Sequence, residues 1–329
     1  MMKVIKSVML LTVAFTVWSG IAAPYVTNVV AKQRYPWGIV DISCEVKGLE
    51  EKDKGLEFTI DAVSSNSGII NKVSYVHFRG GKTSGLEVTT NGVYQFVWDA
   101  NKDIGPGSNK DIVIRVSLRE TMVQLWENGP YWATRNIGAN EPWESGYYFW
   151  WGDTIGYKRE NDKWVASDGS NSNFSFQLSN TLTKGKNIFS LQSEGWIISK
   201  NDTYIFAPKH DAAQAHLGGE WRMPTEQEFD DLVNSCDWLW TTMNGVTGYR
   251  VRGRGDYASA SIFLPCAGYG DGTSLSKAGS CGNFWSSVPS SVNANGNALY
   301  LEIYSARPYM NEYYRYFGRS VRPLQGFTK

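Results

Sequence analysis

Four cysteines (Cys44, Cys236, Cys266, Cys281) and three histidines (His77, His210, His216) are the side chains in this sequence best suited to nucleophilic or metal chemistry. Thiolates and imidazoles hold a metal when they recur at a spacing that one helical face or one hairpin can close. That spacing is missing. His210 and His216 stand six residues apart, which does not put them on one helical face. No G-x-S-x-G, H-E-x-x-H or phosphate-binding Gly loop occurs. "GYGDGTS" is rich in Gly but lacks the following Lys and helix, so it reads as a tight turn. Cys266 and Cys281 are the pair close enough in sequence to suggest a disulfide, with two buried free thiols as the alternative. These patterns supply no catalytic residue, no metal site and no cofactor site.

The elements that position side chains are easier to read. In "GGEWRMPTEQEFDDLVNSC" (218–236), Thr225 is a good N-cap and Glu228 follows three residues on, which predicts a capping box and a helix. Phe229, Leu232, Val233 and Cys236 then form one apolar stripe, while Glu226, Asp230 and Asp231 take the other face. The acidic residues sit mainly at the positive end of the helix dipole, where they stabilise the helix. "PKHDAAQAHLGG" predicts a shorter helix with Asp211 as N-cap, stopped by Gly218 and Gly219.

From Pro24 to Leu118 the pattern has period two. "GIVDISCEV" puts Val40, Ile42, Cys44 and Val46 on one face and Ile39, Asp41, Ser43 and Glu45 on the other. "LEFTIDAV", "NKVSYVHF", "VYQFVWDA" and "DIVIRVSL" follow, separated by turn-forming stretches. This predicts an all-β, immunoglobulin-like sandwich over 24–118 in which Cys44 has no disulfide partner. Residues 119–129 read as a linker, with "NGP" supplying a turn, and the second domain spans 130–325. Within it, "NDKWVASDGSNSNFSFQLSNTLTKGK" reads as a long polar excursion over the surface, and short strands with Gly-rich loops follow Trp238.

Residues 1–22 carry Lys3 and Lys6, an apolar run from Val8 to Trp18, and the small Gly20 and Ala22. That is the three-part pattern of a secretory signal peptide, so the mature protein is expected to begin near Ala23 and to be exported to the periplasm, cell surface or medium. The apolar run is too short to span a bilayer comfortably, and no other transmembrane candidate follows. The first Cys is Cys44, so no lipid anchor is expected at the cleavage point. Lys plus Arg (32) balance Asp plus Glu (32), and no overall field favours nucleic acid, an anionic membrane or a polyacid as partner. Aromatic residues at 14% with 33 Gly, and few long helical patterns, read as rich in strands and loops.

"YWATRNIGANEPWESGYYFWWGDT", "GGEWRMPTEQEFDDL", "SIFLPCAGYGDG", "GNFWSS" and "GRSVRPL" together resemble the Fibrobacter succinogenes major paralogous domain. That family is grouped with formylglycine-generating enzymes and the wider C-type lectin fold. The resemblance covers about residues 130–325 in the family's motif order. It implies a compact, loop-rich α+β domain with a C-type-lectin-like fold. The segment "VAKQRYPWGIVDISCEV" resembles, more weakly, a β-sandwich module that precedes such domains in secreted bacterial proteins. Formylglycine-generating enzymes hold copper with a closely spaced Cys pair. Here the nearest pair, Cys266 and Cys281, is fifteen residues apart and no C-x4-C occurs, so that chemistry does not carry over. "NEPW" at 140–143 has the residue types of a lectin calcium triplet in another order, so no calcium site is expected.

"NALYLEIYSARPYMNEYYRYFGRSVRPL" is dense in Tyr and Arg, the composition that binding surfaces favour. Leu299, Leu301 and Ile303 predict one strand face, with Tyr300, Glu302 and Tyr304 opposite. The candidate ligand contacts are Tyr300, Tyr304, Tyr309, Asn311, Tyr313, Tyr314, Arg315 and Tyr316, on a frame held by Trp221, Phe229, Trp285 and Val321. The segment also resembles the variable region of lectin-fold proteins diversified by retroelements, with the varied positions between Tyr300 and Phe317. The expected function is a secreted, non-catalytic binding or adhesion protein whose partner is an extracellular glycan or protein. An oxidase related to formylglycine-generating enzymes and a structural envelope protein are the alternatives.

Overall fold

The structure is a computed structural model that describes residues 24–34, 38–50, 53–64, 70–79, 86–105, 112–200, 202–293 and 296–327; the expected signal peptide lies outside them. The chain divides into two compact units between Thr121 and Met122.

In the first unit the strands are β1 (Tyr25–Gln33), β2 (Ile39–Lys47), β3 (Leu56–Ser64), β4 (Ile70–Lys72), β5 (Val76–Phe78), β6 (Glu87–Val88) and β7 (Gly92–Asp99). The short helix α1 (Ala100–Ile104) and strand β8 (Ile112–Glu120) complete it. They form two antiparallel sheets, one in the order β1-β2-β7-β5 and one of β4, β3 and β6 with β8 paired to β3. The predicted alternation of β2 is present: Val40, Ile42, Cys44 and Val46 are buried. They share one core with Phe58 and Ile60 of β3, Phe96 and Trp98 of β7, and Ile112 and Ile114 of β8, so each sheet contributes one apolar face. β1 was not among the strands read from the sequence. It alternates less strictly because its register with β2 shifts between Thr27 and Val30.

The second unit begins within the segment expected to be a linker. Arg119 and Glu120 end β8, whereas β9 (Met122–Gln124) pairs with β10 (Tyr131–Ala133). After β11 (Tyr157–Glu160) and β12 (Lys163–Ala166) come α2 (Ile188–Ser193), β13 (Ile197–Lys200), β14 (Thr203–Phe206), α3 (Ala212–Leu217), β15 (Trp221–Arg222) and α4 (Glu226–Ser235). The remaining strands are β16 (Asp237–Met243), β17 (Val246–Arg252), β18 (Ser261–Pro265), β19 (Tyr269–Asp271), β20 (Ser274–Ser276), β21 (Gly282–Pro289), β22 (Asn297–Tyr304), β23 (Arg307–Tyr314) and β24 (Leu324–Gln325). They make several small antiparallel sheets, of which β16-β17-β18, β21-β22-β23 and β15-β24-β10-β9 are the largest. Helices are few and short, so this unit is mostly strand and loop.

Both predicted helices form with their predicted caps. The Asp211 carboxylate accepts from the N–H groups of Ala213 and Gln214, and Thr225 with Glu228 makes the capping box of α4. Phe229, Leu232 and Cys236 are buried, with Val233 packed beside them, in a core with Trp132, Phe284, Leu301 and Leu324. Glu228 does more than cap. It is buried and takes a two-pronged ion pair from Arg222, whose guanidinium lies 3.7 Å from the Phe327 ring.

The polar stretch 161–186 runs mostly over the surface, as expected, but it is anchored by buried aromatics that the sequence did not reveal. β12 pairs with β11, and Trp164, Phe174 and Phe176 are buried with Tyr148 and Tyr157 in a core of their own. Polar residues separate these aromatics at irregular intervals, which hides them from a periodicity reading. Phe176 can enter because Gly270 and Gly318 lie beneath it, hydrogen-bonded to each other; a Cβ on either would come within 2.5 Å of its ring.

Candidate functional site

The candidate contacts converge on the antiparallel sheet β21-β22-β23. A tight hairpin at Ser305–Ala306 sets its register, placing Tyr300 opposite Asn311, Glu302 opposite Tyr309 and Ala298 opposite Tyr313. Side chains alternate across a strand, so Tyr300, Glu302, Tyr304, Tyr309, Asn311 and Tyr313 share one face with Asn283 and Trp285 of β21. The other face, with Phe284, Leu301 and Ile303, belongs to the core against α4.

Glu302 is the polar centre of that face. Its carboxylate accepts hydrogen bonds from the Tyr309 hydroxyl, from Asn311 Nδ2 at 2.9 Å, from the Tyr300 hydroxyl at 3.4 Å and from the Cys281 thiol at 3.4 Å. Asn283 Nδ2 donates in turn to Cys281 Sγ at 3.1 Å. Burial alone would raise the Glu302 carboxyl, but the donors and the charge of Arg319 hold it below the ordinary carboxylate range. The group is therefore an anion locked in place.

Beside it, rings stack outward. Phe317 contacts Tyr269 at 5.5 Å and Tyr313 at 5.1 Å, Tyr316 stacks on Phe317 at 4.8 Å, and Tyr314 stacks on Tyr316 at 5.3 Å with 17° between planes. Phe317 is buried and Tyr316 half-buried, whereas Tyr313 and Tyr314 are 45% and 46% exposed.

Two expected contacts are core residues. Tyr300 is 4% exposed because the inner end of its strand face packs on Trp285 and beneath Arg319, so strand alternation did not carry it to solvent. Arg315 is 1% exposed; its guanidinium lies over Trp151 and donates to the carbonyls of Asn297, Thr183 and Lys186. It tethers the loop before α2 and does not face a ligand. Tyr304, Tyr309 and Asn311 are half-buried, leaving Tyr313, Tyr314 and part of Tyr316 as the outward surface. The expected frame is present in Phe229, Trp285 and Val321, all fully buried, with Trp221 partly so.

The chain matches no family model, no curated protein and no solved structure.

The sequence reading missed Arg319, which is central. It is buried between the rings of Tyr300 at 3.7 Å and Trp285 at 4.6 Å, with Phe317 and Tyr269 at 5.7 Å. Burial lowers its pKa to about 10, so it stays a cation at neutral pH. Its signal in the sequence was an Arg inside the otherwise small and apolar "GRSV".

The cysteines form no disulfide: all four are buried free thiols. The Cys281 thiol is engaged by Glu302 and Asn283, and burial pushes Cys281 up to about 11 and Cys44, Cys236 and Cys266 up to about 12. Thiols held protonated in this way are poor nucleophiles and poor metal ligands. Among the described residues no group of three His, Cys, Asp or Glu is placed to hold a metal ion, and no helix is long and apolar enough to cross a membrane.

Proposed function

We propose that this is an exported, non-catalytic binding or adhesion protein whose second unit is a C-type-lectin-like domain presenting Tyr313, Tyr314 and Tyr316 to an extracellular ligand. The first unit, an immunoglobulin-like sandwich on this reading, serves as the spacer. The observation that carries the proposal is the contrast between outer and inner aromatics on one hairpin. Tyr313 and Tyr314 are nearly half exposed, while Tyr300 on the same hairpin is buried against Trp285 and Arg319. Large rigid rings kept in water by a packed frame are what hot spots are built from. The pairing of β24 with β10, which joins the two ends of the unit in one sheet, fits a compact lectin-like domain. The protonated thiols weigh against the oxidase alternative.

The test is binding of the labelled full chain to intact cells and extracellular matrix, measured beside a Tyr313→Ala/Tyr314→Ala double variant. The reading expects saturable binding that the double variant loses while melting like the wild type. Binding that survives the double substitution rejects it.

A further inference from the structure

We propose that a cavity in the second unit, apart from the tyrosine surface, binds a free aliphatic α-amino acid, taking its carboxylate on Lys158 and Arg159 and its ammonium on Glu144. The cavity measures about 320 Å³ and lies between the loop 138–146, β11 and β20. Lys158, Arg159 and Glu144 are the charged residues that line it. Each is held in place with bonding capacity left over. Glu144 Oε2 accepts the N–H groups of Asn140 at 2.7 Å and Glu141 at 3.4 Å, while Oε1 takes no hydrogen bond among the described residues. The Lys158 ammonium lies 4.8 Å from the centre of the Tyr147 ring and makes no ion pair among the described residues. Arg159 donates to the Thr273 carbonyl and lies 5.4 Å from the Trp164 ring. Its carboxylate partner is Asp162 at 3.5 Å, on a side chain 99% exposed. A pair that long and that wet contributes little and leaves the guanidinium able to take a ligand.

The cavity thus holds fixed charges of both signs that are not paired with each other. Arg135, the next cation along the loop, donates to the Asn140 carbonyl, and neither Glu141 nor Glu160 lines the cavity. A simple anion would satisfy the cations and face Glu144 unpaired, and a simple cation would do the reverse. A zwitterion answers both signs at once, and an α-amino acid carries its two charges on one carbon. Size agrees: ligand pockets run from roughly 300 to 1,000 Å³, so this one admits a single residue better than a chain. Leu275, half-buried, and the Tyr148 ring supply apolar contact for an aliphatic side chain, since the Tyr148 hydroxyl is already bonded to the Ala267 carbonyl.

The test is calorimetric titration of the full chain with L-leucine, with N-acetyl-L-leucine, which lacks the ammonium, and with L-leucinamide, which lacks the carboxylate. The expected result is saturable binding of L-leucine that weakens about tenfold or more when either end is blocked, the loss of roughly one charged contact. Lys158→Gln and Glu144→Gln should each weaken it by a similar factor, whereas Lys158→Arg, which keeps the charge, should retain most of it. Glu144→Gln keeps an acceptor for the Asn140 N–H, and the blocked ligands decide the matter even where a variant misfolds. The cavity shares no residue with the tyrosine surface, so Tyr313→Ala/Tyr314→Ala should bind L-leucine as the wild type does, and the two sites fail independently. No saturable binding of L-leucine, or binding indifferent to Lys158 and Glu144, overturns the proposal. N-acetyl-L-leucine binding as tightly as L-leucine overturns it in favour of a plain carboxylate site, and L-leucinamide doing so overturns it in favour of a cation site.

Discussion

The Arg319 guanidinium lies 3.7 Å from the centre of the Tyr300 ring, with Trp285 on a second side, so a buried cation is held largely by aromatic faces. It joins the Glu302 network to the ring column, because Phe317 and Tyr269 complete its enclosure. Arg319→Lys should therefore not be conservative: an ammonium is more strongly hydrated and cannot lie flat between rings. A loss of about 3 kcal/mol or more is expected in urea unfolding. A variant as stable as the wild type would show that the ring enclosure contributes little.

Exposed and buried aromatics should separate in thermal melts. Trp285→Ala and Phe229→Ala should each cost roughly 3–5 kcal/mol through the cavity left behind. Tyr313→Ala and Tyr314→Ala should stay within about 1 kcal/mol. Tyr316→Ala should fall between, since its half-buried ring stacks on both Phe317 and Tyr314.

Removing Glu228 should be costlier than removing its capping partner. Thr225→Ala loses about 1 kcal/mol of cap. Glu228→Ala also leaves the Arg222 guanidinium buried without its carboxylate, for a loss of roughly 3–5 kcal/mol. Chemical denaturation of both variants measures the difference, and equal losses would mean that the ion pair is worth no more than the cap.

Asp153 gives a pH dependence. Burial pushes its carboxyl up to about 6, only partly offset by hydrogen bonds from Ile155, Thr154 and Tyr157. The folded pKa exceeds the unfolded value of about 3.9, so the folded state binds this proton more tightly. The resulting stabilisation is fully present below about pH 4 and is lost as the pH rises through about 6. Asp153→Asn should reduce that slope without abolishing it, because burial also pushes Asp211 up to about 6. Unfolding free energies measured across this window check the sign.

The thiols should be silent to alkylation in the native state. With Cys281 raised to about 11 and the other three to about 12, labelling near neutral pH should wait for unfolding. Intact-mass measurement before and after denaturant should show no native adduct and then four. Rapid native labelling of Cys281 would mean that its site is open.

Legibility in the sequence followed the kind of signal. The capping box at Thr225 and the alternation of β2 were readable because each rests on a short local spacing. The core around Trp164, Phe174 and Phe176 was not, because it depends on Gly270 and Gly318, far along the chain, that let Phe176 in. At the candidate surface, composition singled out the hairpin that carries Tyr313 and Tyr314, and alternation gave the face that Tyr300, Glu302 and Tyr304 share. Neither could say that Arg319, from a later segment, would cover Tyr300, nor that the Arg315 side chain would turn back onto the carbonyls of Thr183 and Lys186.

Leu324 pairs with Trp132 in one sheet, and Val321 and Arg322 just before it are fully buried, Arg322 donating to Asn136, Ala133 and Phe263. This places a time order on how the second unit is made. Strand β10 has β9 as a neighbour from the start but must wait for nearly two hundred further residues before its second neighbour, β24, exists, so the unit cannot close while the ribosome is still short of Leu324. Until then the Trp132 ring, fully buried in the finished unit, lacks the Leu324 side of its core.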